Sequence, residues 1–263
     1  MKAKEIIELM NDWALPILID HWDNTGFQIG DENKEVNRIL VALDLDMEVY
    51  EKAVKEDFDM IITHHPLIFK PISSITTSNY KGKLIHDLIR NEIVIYNAHT
   101  NLDQAENGVN DELAKLLELC NPTALKLSNL DFESSYGYGK VGDIKEIELV
   151  DYIKQIKEKL NTDSLIVYGN QERKINRVAI CGGSGSEFIY DAYKQKACIY
   201  ITGDIKYHDA QLGAELGLTI IDAGHYHTEK VILPVIKEYL EKEKNCNIYV
   251  EIWERPSPLY KIY

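Results

Sequence analysis

Short, nearly continuous apolar runs rich in Ile, Val and Leu recur at residues 38–45, 59–63, 92–97, 175–180, 197–201 and 218–221. Runs of this length without polar alternation predict strands buried on both faces of a parallel sheet. Between them lie segments with apolar residues at helical spacing: 47–56, 81–90, 108–119, 147–160, 188–194, 210–217 and 228–242. Strand and helix in alternation predict βαβ units and an α/β fold of mainly parallel sheets. The stretch 121–143 breaks the pattern with Pro122, Ser134, Ser135 and glycines at 137, 139 and 142, and reads as the boundary between two α/β domains. The expected domains are 1–126, which 230–263 can join, and 127–229. Near the end, 248–253 predicts an edge strand, followed by Pro256 and Pro258.

A length of 263 residues suits one large α/β domain or two smaller ones. With 45% hydrophobic and 27% charged residues, the composition is that of a globular chain and excludes disorder and fibre. Acidic residues outnumber basic ones, 43 to 29, for a net charge of −14. That field repels nucleic-acid backbones and anionic membrane surfaces, so neither direct DNA binding nor a membrane partner is expected. Cys120, Cys181, Cys198 and Cys246 form no Cys-x-x-Cys pair and read as reduced thiols. Residues 1–11 are charged and helical in pattern, with neither a signal-peptide core nor a membrane-spanning run, so a cytoplasmic protein is expected.

The candidate chemistry lies where strands end. The run 59–63 leads into His64-His65-Pro66; the run 92–97 leads into His99 and Asp103; the run 218–221 leads into Asp222, His225, His227 and Glu229. The carboxyl edge of a parallel sheet is where ligands bind, because the loops leaving it converge on a crevice. Imidazole nitrogens and carboxylate oxygens without thiolates suit zinc, manganese, iron or nickel at a catalytic or exchangeable site. His225 and Glu229 are four residues apart and share one helical face if a helix begins at His225. His64 and His65, turning into Pro66, can splay toward two neighbouring ions, a hint of a two-metal site. The set so selected is His64, His65, Asp103, His225 and Glu229. An isolated histidine in a βα loop is more often a cap or a satisfied hydrogen-bonding group, and His21, His86 and His227 take that reading. Asp222 and Asp111 read as turn or helix caps, Asp204 as a cap or an orienter of a ligand. The loop with Gly182, Gly183, Ser184 and Gly185 follows a strand and could cradle a phosphate, with a tight turn the equal alternative. The loop 21–30 either lines a pocket or covers the sheet, and 72–80 is a lid or an ordinary exposed loop.

Taken in order, Trp22-Asp-Asn-Thr-Gly-Phe-Gln-Ile-Gly30, Thr63-His-His-Pro-Leu-Ile-Phe69, His99-Thr-Asn-Leu-Asp103 with Gly108-Val-Asn-Asp111, Thr202-Gly-Asp204 with Lys206-Tyr-His208, and Asp222-Ala-Gly-His-Tyr226 with Thr228-Glu229 resemble the Ngg-one-interacting-factor-three family. Its members are commonly labelled GTP cyclohydrolase 1 type 2 homologues, or domain of unknown function 34. The resemblance implies two α/β domains with a dinuclear metal centre at the carboxyl ends of strands between them, assembled as a toroidal homohexamer. It places the family's ligands on His64, His65, Asp103, His225 and Glu229, and the chain looks like the short form without the large insertion of some members. Two divalent ions, of iron, zinc, manganese or nickel, sharing a bridging water imply a metal-dependent hydrolase of a nucleotide-like or other small substrate. The family label points to GTP ring opening. A non-catalytic metal-handling or scaffold assembly is the competing expectation, and transcriptional regulation through a partner a third. His99 and His208, which are not among the family's ligands, are the candidates for proton transfer or ligand orientation. Trp22 or Phe69 can stack a base, with core packing the ordinary alternative.

Overall fold

A computed structural model describes residues 1–128, 136–242 and 248–255; Ser134, Ser135, Cys246, Pro256 and Pro258 lie outside the described residues. The chain divides into two compact units, one formed by Met1–Leu102 with the segment that begins at Ile232, the other by Asp103–Val231. The division falls after Leu102, not in the stretch around 121–143 where composition places it, and it assigns Asp103 to the second unit.

In the first unit the elements run α1 (Ala3–Trp13), β1 (Gly26–Ile29), β2 (Arg38–Ala42), α2 (Met47–Lys55), β3 (Met60–Thr63), α3 (Tyr80–Arg90) and β4 (Val94–Asn97). The sheet order is β1-β4-β3-β2 with the strand Tyr249–Trp253 at the far edge. β2, β3, β4 and that edge strand are parallel, and β1 runs antiparallel to β4. Leu40, Ala42, Ile61 and Ile95 pack with Val49 and Ala53 of α2 and with Leu84, Ile85 and Leu88 of α3. Each such side chain fully removed from water contributes roughly 1.5–3 kcal/mol, which is why these strands are apolar throughout. Capping side chains start the helices: Asp46 accepts from Val49 N at 3.0 Å and Asn79 from Gly82 N at 2.7 Å. The register pairs Ala42 with Thr63 and Thr63 with Asn97, so three strands finish level and the loops after them leave one edge together.

The helix α4 (Thr100–Gln104) contains the point of division, and the second unit continues with α5 (Val109–Leu116), β5 (Cys120–Leu127), β6 (Gly137–Glu148), α6 (Leu149–Leu160), β7 (Ile166–Tyr168), β8 (Lys174–Ser184), α7 (Ile189–Lys194), β9 (Ile199–Gly203), α8 (Tyr207–Glu215), β10 (Thr219–Asp222) and α9 (His225–Glu229). The expected linker is therefore two antiparallel strands, β5 and β6, with Gly137, Gly139 and Gly142 inside β6. β5 has a largely exposed surface and so lacks the continuous apolar run that marks a buried strand. The sheet order is β5-β6-β8-β9-β10-β7, with β8, β9 and β10 parallel at its centre. Ile180, Ile199, Ile201 and Ile221 face α6 through Tyr152 and Ile156, while Ala179, Tyr200 and Ile220 face Ile189 and Ala192 of α7.

The long helix expected over 228–242 is broken: a 3-10 turn at Lys230–Ile232 separates α9 from α10 (Leu233–Glu241). Pro234 explains the break, since it has no N–H for the helical ladder and sits in the first turn of the new helix, where none is needed. The final described strand, β11 (Tyr249–Trp253), pairs with β2.

Candidate metal centre

In the first unit, His64 and His65 follow β3 and His99 follows β4, and their ring nitrogens lie within 4.8 Å of one another. Each ring is held from behind. His64 Nδ1 bonds the carbonyl of Ala98 at 2.8 Å, His65 Nδ1 bonds Asp44 Oδ1 at 2.8 Å, and His99 Nδ1 bonds Asp23 Oδ1 at 2.9 Å. All three acceptors are oxygens without a proton, so each Nδ1 is the donor and Nε2 is the nitrogen on the other side of the ring. Metal-ligating histidines are held in the same way, by a carbonyl or carboxylate on the nitrogen that does not bind the ion.

Asp23 is fully buried at its side chain and accepts from His99, from Thr25 Oγ1 at 2.6 Å and from Thr100 Oγ1 at 2.7 Å. Burial works to raise its pKa, but these donors prevail and hold the carboxyl well below the usual range, so it is an anion facing His99. Neither Asp23 nor Asp44 stands out in the sequence as an orienting group. Asp44 carries a legible signal, since it leaves β2 at the edge from which His64 leaves β3; Asp23 sits in an irregular loop where no periodicity marks it.

In the second unit, α9 begins at His225, and His225 Nε2 lies 3.0 Å from Glu229 Oε2 one turn later. Asp204 Oδ2 takes the other ring nitrogen at 2.7 Å. A carboxylate oxygen of Asp103 lies within 4.8 Å of one of Glu229. Two glycines allow this crowding. Gly183 has φ +64°, and a Cβ there would overlap Glu229 Oε1 and stand 3.3 Å from His225 Nε2. At Gly203 a Cβ would lie 2.6 Å from the backbone nitrogen of His225. Gly183 belongs to a bulge in β8, where 180 to 184 faces only 201 to 203 of β9, and bulges of this kind re-aim side chains at sites.

The same bonds correct the phosphate cradle expected at Gly182, Gly183, Ser184 and Gly185. The amide of Gly182 donates to Asn110 Oδ1 at 2.9 Å, that of Gly183 to Thr228 Oγ1 at 2.9 Å, and that of Gly185 to Thr202 Oγ1 at 3.0 Å. These amides fasten the bulge to α5, α9 and β9 and are not turned toward an anion. Asn110 also donates to the carbonyl of Asp103 at 3.0 Å, tying that residue to the same bulge. His208 is exposed on α8 with its ring against Tyr207 and belongs to no ligating group among the described residues. Asp222 caps the turn after β10, accepting from Ile205 N and Gly224 N, each at 3.0 Å. Residues 72–80 are exposed throughout.

The chemistry of the donors fits divalent ions of the first transition row, which take imidazole and carboxylate together. Burial and, after it, the charges of Asp103 and Glu229 push the thiol of Cys181 up, and Cys181 belongs to none of the candidate ligating groups among the described residues. Among the described residues no helix is long and apolar enough to cross a membrane.

A family profile described as Duf34/NIF3 (NGG1p interacting factor 3) matches residues 1–258. The chain belongs to the DUF34/NIF3 family. Within DUF34/NIF3, it is 38% identical over 243 residues to a GTP cyclohydrolase 1 type 2 homolog of Lactococcus lactis, covering 91% of each chain. It is 30% identical over 259 residues to the GTP cyclohydrolase 1 type 2 of Helicobacter pylori, covering 98% of each. The crystal structure of a Bacillus cereus protein related to NIF3 superposes with a TM-score of 0.93 at 27% identity, over all of this chain and 99% of the other. Two mixed α/β units with largely parallel sheet centres are thus the DUF34/NIF3 fold in this chain.

Proposed function

We propose that this DUF34/NIF3 chain is a metal-dependent hydrolase of a nucleotide-like or other small substrate, binding two divalent ions through His64, His65, Asp103, His225 and Glu229. The observation that carries the reading is the pair His225 and Glu229. With Asp204 on its Nδ1, the ring turns Nε2 toward a carboxylate oxygen 3.0 Å away. An imidazole nitrogen and a carboxylate oxygen converging at that distance share a cation, either a proton or a divalent metal ion, and for a metal ion both are ligands of the right type. Two such ions, when bound, supply Lewis acidity toward a water and a substrate oxygen.

The chain's own groups do the rest. Ala98 O, Asp44 and Asp204 fix the tautomers and orientations of His64, His65 and His225. His99, whose Nδ1 is held by Asp23 Oδ1 at 2.9 Å, is oriented to pass a proton to a leaving group through Nε2. The names of the Lactococcus and Helicobacter relatives support a nucleotide as the first substrate to try. Assembly as a toroidal homohexamer belongs to the same reading through family membership, and native mass measures it.

The test is elemental analysis of protein purified without added metal or an affinity tag, with a release assay over a nucleotide panel that includes GTP. About two equivalents per chain and turnover abolished by a chelator support the reading. Two equivalents without turnover favour a metal-handling assembly, and less than about half an equivalent, unrestored by iron, zinc, manganese or nickel, overturns the ligand assignment.

A further inference from the structure

Trp22 and Phe69 are the kind of side chain that ordinarily fills a core, yet they are 50% and 43% exposed. They meet edge to face, with ring centroids 5.9 Å apart at 61°. Both also stand edge-on to His99, at 6.1 Å and 80° for Trp22 and 6.3 Å and 75° for Phe69. The backbone beneath them is pinned. Asn24 Nδ2 donates to the carbonyl of Ile68 at 2.5 Å, and Ile68 N donates to Gln28 Oε1 at 2.7 Å, so the loop carrying Trp22 and the loop carrying Phe69 are tied at the residue beside Phe69. Asp23, next to Trp22, is locked by His99 and Thr100.

An aromatic pair on loops pinned in this way, partly uncovered and touching the histidine group of the sheet edge, has little freedom left to lose on binding and presents π surface to solvent. That is the arrangement on which a planar ring stacks, since every heteroaromatic ring has a face to offer and the ordering cost is already met by the fold. Aliphatic chains would serve a purely apolar occupant as well; two aromatic rings set at an angle favour a flat one.

We infer that Trp22 and Phe69 form a stacking subsite for a planar heteroaromatic ring of the substrate, beside the histidines that follow β3 and β4. The inference rests on the hydrolase reading for the identity of the bound molecule as substrate, and it goes beyond that reading in naming the class of ring and the residues that take it.

The test is titration of the intact, purified protein with guanosine, adenosine and ring-free ribose 5-phosphate, read by calorimetry and by tryptophan fluorescence, with metal content measured on every sample. Both nucleosides are expected to bind and quench, and ribose 5-phosphate is expected not to quench. Trp22→Ala and Phe69→Leu should each weaken nucleoside binding by about tenfold or more at unchanged metal content. Trp22→Phe, which keeps a face but removes the reporter, should keep binding within a few-fold and lose most of the quenching. Circular dichroism and melting of the same variants check the fold; both residues are half exposed, and Trp22→Phe provides a conservative control. Equal nucleoside affinity in Trp22→Ala, Phe69→Leu and the unmodified protein overturns the inference, as does nucleoside binding no tighter than that of ribose 5-phosphate. A lowered native mass in Trp22→Ala overturns it too, because the patch is then covered by another copy of the chain. The hydrolase reading fails separately: nucleosides that bind at the subsite without any turnover leave the stacking inference standing, and turnover of a ring-free substrate indifferent to Trp22→Ala leaves only the hydrolase.

Discussion

Glu229 Oε2 stands 3.0 Å from His225 Nε2, one turn along a five-residue helix, and Gly183 is small enough to let the carboxylate lie against its backbone. The pair is buried at the glutamate and partly open at the histidine, the asymmetry expected of a group that fixes an ion on one side and meets solvent on the other.

Replacing either end of the ligand set should remove metal without removing the fold. His64→Ala and Glu229→Ala are each expected to lower the metal content of the purified protein by at least half, with far-UV circular dichroism unchanged. His64 lies in the loop after β3 and Glu229 at the end of α9, and neither belongs to the apolar clusters between strands and helices. Unchanged metal in both variants would sink the assignment.

Gly183→Ala tests the same site from its floor. The new methyl cannot coexist with Glu229 Oε1 in its present place, and φ of +64° adds backbone strain of about 1 kcal/mol or more. The expected result is a melting temperature only a few degrees lower but metal affinity reduced at least tenfold, measured by competition with a chromophoric chelator. A variant with full metal affinity would mean that Glu229 is not a ligand.

Asp23→Ala leaves the donors of His99, Thr25 and Thr100 facing a void where a buried anion stood. The expected loss is about 3 kcal/mol of stability. In a chain of this size that lowers the melting temperature by roughly 6–12 °C. A shift under about 2 °C would show that solvent reaches this carboxylate and replaces its partners.

Tyr152 supplies a pH-dependent test in the second unit. Burial pushes its phenol well above the usual tyrosine range, with the charge of Glu118 adding to the effect, and its hydroxyl donates to the carbonyl of Leu117 at 3.2 Å. A group whose folded pKa is raised contributes stability that is complete below its unfolded value, about 10, and that falls as pH climbs above it. The melting temperature should therefore drop between about pH 9.5 and 11, and less steeply in Tyr152→Phe. Identical slopes for the two proteins would remove Tyr152 from the explanation.

The buried parallel strands were legible because burial on both faces leaves one signal, an unbroken run of Ile, Val and Leu, as in 59–63 and 218–221. β5 and β6 were not: β5 is largely exposed and carries polar residues and a proline, and the buried half of β6 holds glycines because neighbouring backbone leaves no room for a side chain, both of which read as loop in the sequence. The ligand candidates could be read from strand ends alone, and Asp204 from the loop after β9. Asp23 could not, because the contact that matters spans 76 positions to His99 and depends on how an irregular loop closes. The glycine-rich stretch misled for a related reason: composition shows that amides are accessible in principle, whereas only the fold shows that Asn110, Thr202 and Thr228 occupy them. One helix over 228–242 was contradicted by a single residue, Pro234.

The pairing of β11 with β2 also sets an order in time. β2 is made long before β11, and among the described residues its outer edge pairs with 249–253, so during synthesis that ladder stays open until β11 emerges. The second unit, by contrast, draws its described strands from one continuous stretch, Asp103–Val231, all of it made before β11. The sheet that contains β2 thus waits for β11 until after every described strand of the other sheet has been made, which leaves its edge open to pairing with other chains for longer.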